Sequence, residues 1–233
     1  MMLFSRAMLL VLLSMATTVF AGERITVSTN NTPLDREVLL AVSREALGRL
    51  DVSFELINLP SERSLRSADQ GEIDGEGLRV AGLSKIYPNL VQVPEPFVKI
   101  KFVAFAKDAT IDLSGWDSLK LYRIAFINGW KMFEKNAANG KVVNKVDTPE
   151  QMFKMLELGR IDLALYTLAD GEAFTRANGM PSIAALEPAL KSVDLYLYLH
   201  KRHAQLVPRV AAAIRDMKAD GTYNTILAEV LKR

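Results

Sequence analysis

The sequence predicts an α/β fold built from two successive units, and three observations predict it. Strand-like and helix-like segments alternate along almost the whole chain, the pattern of helices packed on largely parallel sheets. Two long apolar strands, KIKFVAFAK (99–107) and SVDLYLYLHK (192–201), flank a middle segment that has its own strand–helix alternation. Hydrophobic residues make up 49% of the 233 residues, enough for a proper core, with no internal repeat, low-complexity tract or Pro/Ser-rich linker.

The first 21 residues, MMLFSRAMLLVLLSMATTVFA, read as a secretory signal. Arg6 is the positive region, an apolar stretch follows, and Val19 and Ala21 satisfy the small-residue rule for cleavage before Gly22. A membrane anchor is the alternative, against which the short apolar core and the cleavage site argue. The chain is therefore expected in the periplasm. It has no cysteine, so neither a disulfide nor a lipid-modified thiol is available. With 29 Lys and Arg against 27 Asp and Glu, the net charge is +2, which excludes the strongly basic face that nucleic acid requires.

In chain order, RITVST (24–29) alternates like a strand, and Pro33 opens a helix whose apolar positions Val38, Leu39, Val42, Ala46, Leu47 and Leu50 recur at helical spacing. VSFELINL (52–59) is a strand, and SERSLRSADQG (61–71) is a short helix with Ser61 as N-cap and Gly71 as its stop. EIDGEGLRV gives a short strand and its exit, while the two prolines of LVQVPEPF place that segment at an edge. The second unit opens with YRIAFI (122–127), which meets Asn128-Gly129 and a helix starting near Trp130. KVVNKV is the next strand. Thr148 and Pro149 then supply an N-cap and a first helical residue for a helix that runs through Leu158 and stops at Gly159. IDLALYTL is a strand, and Ala169–Asn178 is a helix closed by Gly179. Two terminal helices, split at Asp220-Gly221, end the chain.

Catalytic and cofactor signatures are missing from the sequence. It contains no G-x-S-x-G, H-E-x-x-H or Walker A motif, and GEGLRVAG has only G-x-G and opens no helix. His200 and His203 are the only histidines and no cysteine accompanies them, so they are expected as exposed residues of a hinge strand rather than metal ligands. No cofactor and no metal are expected.

Three stretches together resemble the extracellular solute-binding proteins of family 3, the amino-acid-type receptors of ABC importers. TPEQMFKMLELGRIDLALYTL resembles that family's helix–Gly–Arg–x–Asp–strand segment, and MKADGTYNTILAEV its closing D-G-T-Y and last helix. ERSLRSADQGEIDG, leading into YPNLVQVPEPF, resembles its first-lobe segment. The resemblance implies a type II periplasmic-binding-protein-like fold: two α/β lobes joined by two hinge strands, with ligand in the cleft between them. Lobe 1 would comprise 22–104 plus 199–233 and lobe 2 would comprise 105–198, with hinges in KFVAFAK and LYLYLHK. Cleft closure would be a hinge motion.

The resemblance also implies a carboxylate-binding arginine in lobe 1 and an ammonium-binding aspartate after the lobe-2 strand, and the sequence departs at both. The aspartate's position, five after Asp162, is Thr167, and VAGLSKIYPN contains no arginine. Arg79, at the exit of the preceding strand, is the expected replacement anchor, its planar fork suited to a carboxylate. The alternative is a structural pair with Glu76 or Glu95. Arg63, after Pro60, could reach the cleft or be a solvated helix charge. Gly129 and Trp130 occupy the slot where the family places a helix N-terminus against the ligand, and the indole would wall the site or pack the lobe. Thr29 and Asn30 are candidate polar contacts or simple turn residues. Tyr166 and Asp170 flank the missing aspartate, and Asp170 would hold a cationic ligand or cap its helix. Tyr87 and Phe97 line lobe 1 or pack its core.

By this resemblance the chain is a monomeric periplasmic receptor that captures a small polar, carboxylate-bearing, amino-acid-like metabolite and delivers it to an ABC transporter permease. One alternative keeps the fold and signals to a membrane receptor. Another is a dehydratase-like enzyme using Glu76, Asp170 or Glu172 as an acid.

Overall fold

The computed structural model describes residues 23–29 and 32–232, so the signal segment and Asn30 lie outside the described residues. The elements are β1 (Arg24–Ser28), α1 (Pro33–Gly48), β2 (Ser53–Ile57), α2 (Ser61–Gln70), β3 (Gly75–Arg79), β4 (Leu90–Gln92), β5 (Val98–Ala106), β6 (Arg123–Ile127) and α3 (Lys131–Asn136). They continue with β7 (Val142–Val146), α4 (Pro149–Glu157), β8 (Leu163–Thr167), α5 (Leu168–Ala177), β9 (Ala184–Ala185), β10 (Lys191–His200), α6 (Leu206–Ala219) and α7 (Thr222–Leu231). None of the described helices is long and apolar enough to cross a membrane.

Two parallel trios form the lobes: β1 lies between β2 and β3, and β6 between β7 and β8. The expectation of largely parallel sheets holds only inside these trios. β5 leaves the first unit and β10 returns to it, so they run past each other in opposite directions, with Lys191–Leu195 antiparallel to Val98–Phe102. Beyond that shared stretch they diverge. β10 pairs antiparallel with β3 and β4, and β5 pairs antiparallel with β8 and β9.

Each sheet buries both faces, as strands covered by helices on two sides must. In lobe 1, α1, α6 and α7 cover one face over Ile25, Val27 and Leu197, and α2 covers the other over Tyr198. In lobe 2 the alternation along β8 is visible, with Leu163 and Leu165 in one cluster and Ala164 and Tyr166 in the other. Two glycines permit close approach of the helices. A Cβ on Gly77 would lie 2.2 Å from Leu39 of α1, and one on Gly171 of α5 would lie 2.2 Å from the Phe105 ring.

Local signals act as expected at Thr148, which accepts from the Gln151 N–H at 3.3 Å, and at Gly71, whose left-handed backbone ends α2. Three expectations are corrected. Ser61 is the first residue of α2 and not its cap, because the extended backbone of Pro60 occupies the flanking position. The helix expected from Ala169 starts one residue earlier at Leu168, with Thr167 flanking it. His203 is neither in a hinge strand nor exposed. It lies in the 3-10 turn after β10 (Lys201–His203), with its side chain 15% exposed against Asp74 at 2.6 Å and Glu23 at 3.4 Å.

Candidate functional site: the interlobe cleft

The carboxyl ends of β3 and β8 face one another across the crossing strands, the location where open α/β sheets bind ligands. A chamber of about 540 Å³ opens there. Ile100 and Phe102 of β5 and Val193 and Leu195 of β10 form its floor. Lobe 1 contributes Thr32 and Asp35 from the start of α1 and Leu78, Arg79 and Val80 from the β3 exit; lobe 2 contributes Trp130, Met132 and Thr167. A second chamber of about 450 Å³ shares Asp35, Ile100 and Thr167 with the first and extends between α5 and α7.

Arg79 reaches this site through an irregular strand. The β3–β10 register shifts between Tyr196 and Tyr198, and Leu78 adopts φ 56°, a left-handed backbone uncommon for a non-glycine residue. Arg79 then turns back on its own strand, with Nε and an NH2 nitrogen donating to Glu76 Oε1 at 2.7 and 2.5 Å. Glu76 is fully buried, and the Ser64 hydroxyl of α2 donates to its other oxygen. Burial pushes the Glu76 carboxyl up, against the opposing pull of Arg79 and Ser64. Glu95, the other partner considered for Arg79, is held instead by Lys218 at 2.5 Å. Arg63 lies exposed on α2 and lines neither chamber.

On the lobe-2 side Trp130 lies between two rings, stacked on Phe133 (5.9 Å, 4°) and on Tyr166 (4.9 Å, 22°). It therefore walls the cleft and packs the lobe together. Gly129 precedes it at φ 82° and is exposed. Tyr166 lines neither chamber; it is buried beneath the indole, and its hydroxyl is pushed well above the ordinary tyrosine range by burial and by the Asp170, Glu150 and Asp35 carboxylates.

Asp170 is half-buried in the first turn of α5 and accepts from the Thr167 hydroxyl at 2.5 Å. Thr32 hydrogen-bonds to it from the opposite lobe. Burial outweighs both bonds and pushes its carboxyl up. Thr167 thus takes the helix-flanking position that the sequence offered to Asp170, and Asp170 serves the hydroxyl network between the lobes. Glu172 is exposed at the edge of the second chamber. Thr29 is buried, its hydroxyl donating to the Gly77 carbonyl at 3.0 Å. Phe97 is core, its carbonyl accepting from the Tyr223 hydroxyl at 2.7 Å, and Tyr87 packs near Tyr198.

The sequence reading missed Thr32, Asp35 and Met132, and it missed the part α7 plays in the second chamber. Thr32-Pro33-x-Asp35 is an N-cap signature, and it would have located the first two at a helix start over the cleft. Among the described residues no group of three or more acidic or histidine side chains is placed to hold a metal.

No protein-family model matches the chain. An uncharacterised protein of Shewanella oneidensis is 26% identical over 189 residues, spanning 76% of this chain and 70% of that protein. Among solved structures, the GluR0 ligand-binding core in complex with L-glutamate matches at a TM-score of 0.74 with 12% identity, over 91% of this chain and 99% of that one. A histidine kinase sensor domain with similarity to periplasmic binding proteins matches at 0.66 with 16% identity, over 90% and 96%. The substrate-binding protein of an amino acid ABC transporter matches at 0.60 with 16% identity, over 90% and 100%. The fold is therefore that of the two-lobed periplasmic-binding-protein-like structures.

Proposed function

We propose that the protein is a periplasmic receptor that closes its two lobes on a small, polar, amino-acid-like metabolite and hands it to the permease of an ABC importer. The observation that carries this reading is the cleft itself. Charged, aromatic and hydroxyl side chains from both lobes (Asp35, Arg79, Trp130 and Thr167) converge over two crossing strands that can act as a hinge. Arg79 offers a guanidinium for a ligand carboxylate, to be shared with or taken from Glu76, and Trp130 offers a stacking face. Binding by this account is cleft closure with charge-assisted hydrogen bonds and makes or breaks no covalent bond. The receptor works as a monomer. Glu76 is an unsuitable acid for chemistry, because Ser64 and Arg79 occupy its two oxygens.

A second reading keeps the cleft and changes the partner, so that the closed form signals to a membrane protein. Its support is the likeness to a kinase sensor domain.

The test is a thermal-shift screen of the mature protein against amino acids, organic acids, amines and short peptides, with tryptophan emission recorded in parallel. A ligand at a hundred times its Kd stabilises by about 2.7 kcal/mol, a rise in Tm of roughly 5–10 °C for a chain of this size. A hit that also changes the emission of the wild type but not of Trp130→Phe supports the cleft reading. A panel with no stabilising compound and no emission change would overturn it. Loss of uptake of the hit on deleting the gene favours transport; unchanged uptake with a lost transcriptional response favours the sensor.

A further inference from the structure

The turn that follows Arg79 is held by a residue of the crossing strand β10. β3 ends at Arg79, Val80 continues along the chamber wall, and Gly82 at φ 88° reverses the chain into the 3-10 turn Leu83–Lys85. Three polar backbone groups of this stretch are met by two side chains. The Tyr198 hydroxyl of β10 lies 2.8 Å from the Val80 carbonyl and accepts from the Leu83 N–H at 3.4 Å. Gln92 Oε1 of β4 accepts from the Gly82 N–H at 3.4 Å and lies 2.8 Å from the same hydroxyl. That hydroxyl has one proton to give, to the Val80 carbonyl or to Gln92 Oε1.

Tyr198 stands where the sheet is irregular. It lies opposite Glu76 of β3 on one side and Gln92 of β4 on the other. Just before it the β3 register slips, so that Gly77 and Leu78 stand against the single Leu197 of β10. A slipped strand end can leave its sheet in more than one direction, and a directional bond selects one of them. The Tyr198 ring is fully buried in a cluster with Leu65, Ala68 and Leu90. Phenylalanine would fill that space without drawing a hydroxyl out of water, a transfer that costs free energy unless the group is hydrogen-bonded. What the hydroxyl adds to the packing is direction.

Resting on the reading of Arg79 as a ligand-facing group, we infer that Tyr198 is a positioning residue of the cleft: its hydroxyl, together with Gln92, fixes the Val80–Leu83 turn and so the direction in which Arg79 and Val80 meet the ligand. Tyr198 lines neither chamber and acts only through this turn. β10 thereby serves the site twice, lining the chamber floor with Val193 and Leu195 and aiming the cation from Tyr198.

The test is heteronuclear NMR and amide hydrogen exchange on the isotope-labelled mature protein. Arg79→Lys identifies the Arg79 Nε–H signal by its loss. In Tyr198→Phe that signal is expected to move, and the Gly82 and Leu83 amides to exchange about tenfold faster relative to the amides of β1, which report any general loss of stability. Propionate, a minimal carboxylate probe, is expected to shift the Arg79 signal in the wild type and to bind about fivefold more weakly in Tyr198→Phe. Gln92→Ala, on the half-buried β4, leaves the ring in place and is expected to move the same signals in the same direction. An unmoved Arg79 signal with unchanged Gly82 and Leu83 exchange in Tyr198→Phe would overturn the inference; should that variant not fold, the same result in Gln92→Ala overturns it. If the variants move Arg79 but propionate leaves the wild-type signal untouched, the positioning role stands and the carboxylate anchor falls. A wild-type response to propionate with unmoved variants keeps the anchor and removes Tyr198 from the site.

Discussion

The two lobes repeat one device and then diverge. In each, a helix ends at a left-handed glycine, Gly71 at φ 76° and Gly159 at φ 68°. Three residues later an aspartate accepts the N–H of the lobe's central strand: Thr26 to Asp74 and Arg123 to Asp162, both at 2.8 Å. A guanidinium joins each, Arg202 on Asp74 and Arg123 on Asp162, both at 2.5 Å. Burial opposes ionisation of Asp74, but the Thr26 N–H, Arg202 and His203 together hold its carboxyl below the ordinary range; Arg123 does the same for Asp162 against a smaller burial effect. A few residues further along, at the cleft, the balance reverses, and burial pushes Glu76 and Asp170 up. A carboxylate is held below its ordinary range where a backbone N–H and a guanidinium both reach it, and is raised where burial outweighs its partners.

The largest effect expected from breaking this contrast is at Arg79. Arg79→Ala leaves Glu76 fully buried without its cation and should cost about 3 kcal/mol in urea denaturation, most of it restored by adding Glu76→Gln. A variant within 0.5 kcal/mol of wild type would mean that the pair is no part of the scaffold.

Next is the scaffold aspartate of lobe 2. Asp162→Asn is expected to lose about 2 kcal/mol at pH 7. Because the folded carboxyl lies below its ordinary 3.8, its contribution is present above that value and lost as pH falls through the folded pKa. The gap between wild type and variant should therefore narrow as the solution is acidified below that value, and a gap that does not narrow would refute the assignment.

Asp170→Asn should behave with the opposite sign. The folded carboxyl lies above 3.8, so the wild type pays for ionising it as pH rises from 3.8 through the folded value. The variant is expected to equal or exceed wild-type stability at pH 7, by about 1 kcal/mol at most, and to lose that advantage near pH 4. A variant clearly less stable than wild type at pH 7 would make Asp170 a structural acid like Asp162.

The smallest effect is at the interlobe bond. Thr32→Val removes one hydroxyl from Asp170 and one acceptor for the Asp35 N–H, a loss of about 0.5–1 kcal/mol in thermal melts. Its second readout is a larger radius of gyration in solution, since the bond joins the lobes. An unchanged radius would deny it any part in closure.

Much of this frame was legible from short-range signals. Thr148-Pro149 starts α4 and Gly159 ends it because caps and left-handed glycines act within a few residues. The two long strands that flank the middle unit stood out by their apolar centres, FVAFA and LYLYL, and they are the two that cross. Arg79 was legible as a cation at a strand exit. That it folds back on Glu76 was not, since this depends on the left-handed Leu78 and the slipped register against β10. His203 was misplaced because its partners Asp74 and Glu23 are far away in sequence. The second chamber stayed invisible because α1, α5 and α7 meet only after both lobes are assembled.

The sequence by itself determined the order of strands and helices, the paired lobes and the residue types available at each strand exit, because periodicity, caps and turn residues act locally. Only the tertiary structure decided which carboxylates stay ionised in the scaffold and which are raised in the cleft. That choice is made by burial and by partners contributed from distant strands and from the opposite lobe.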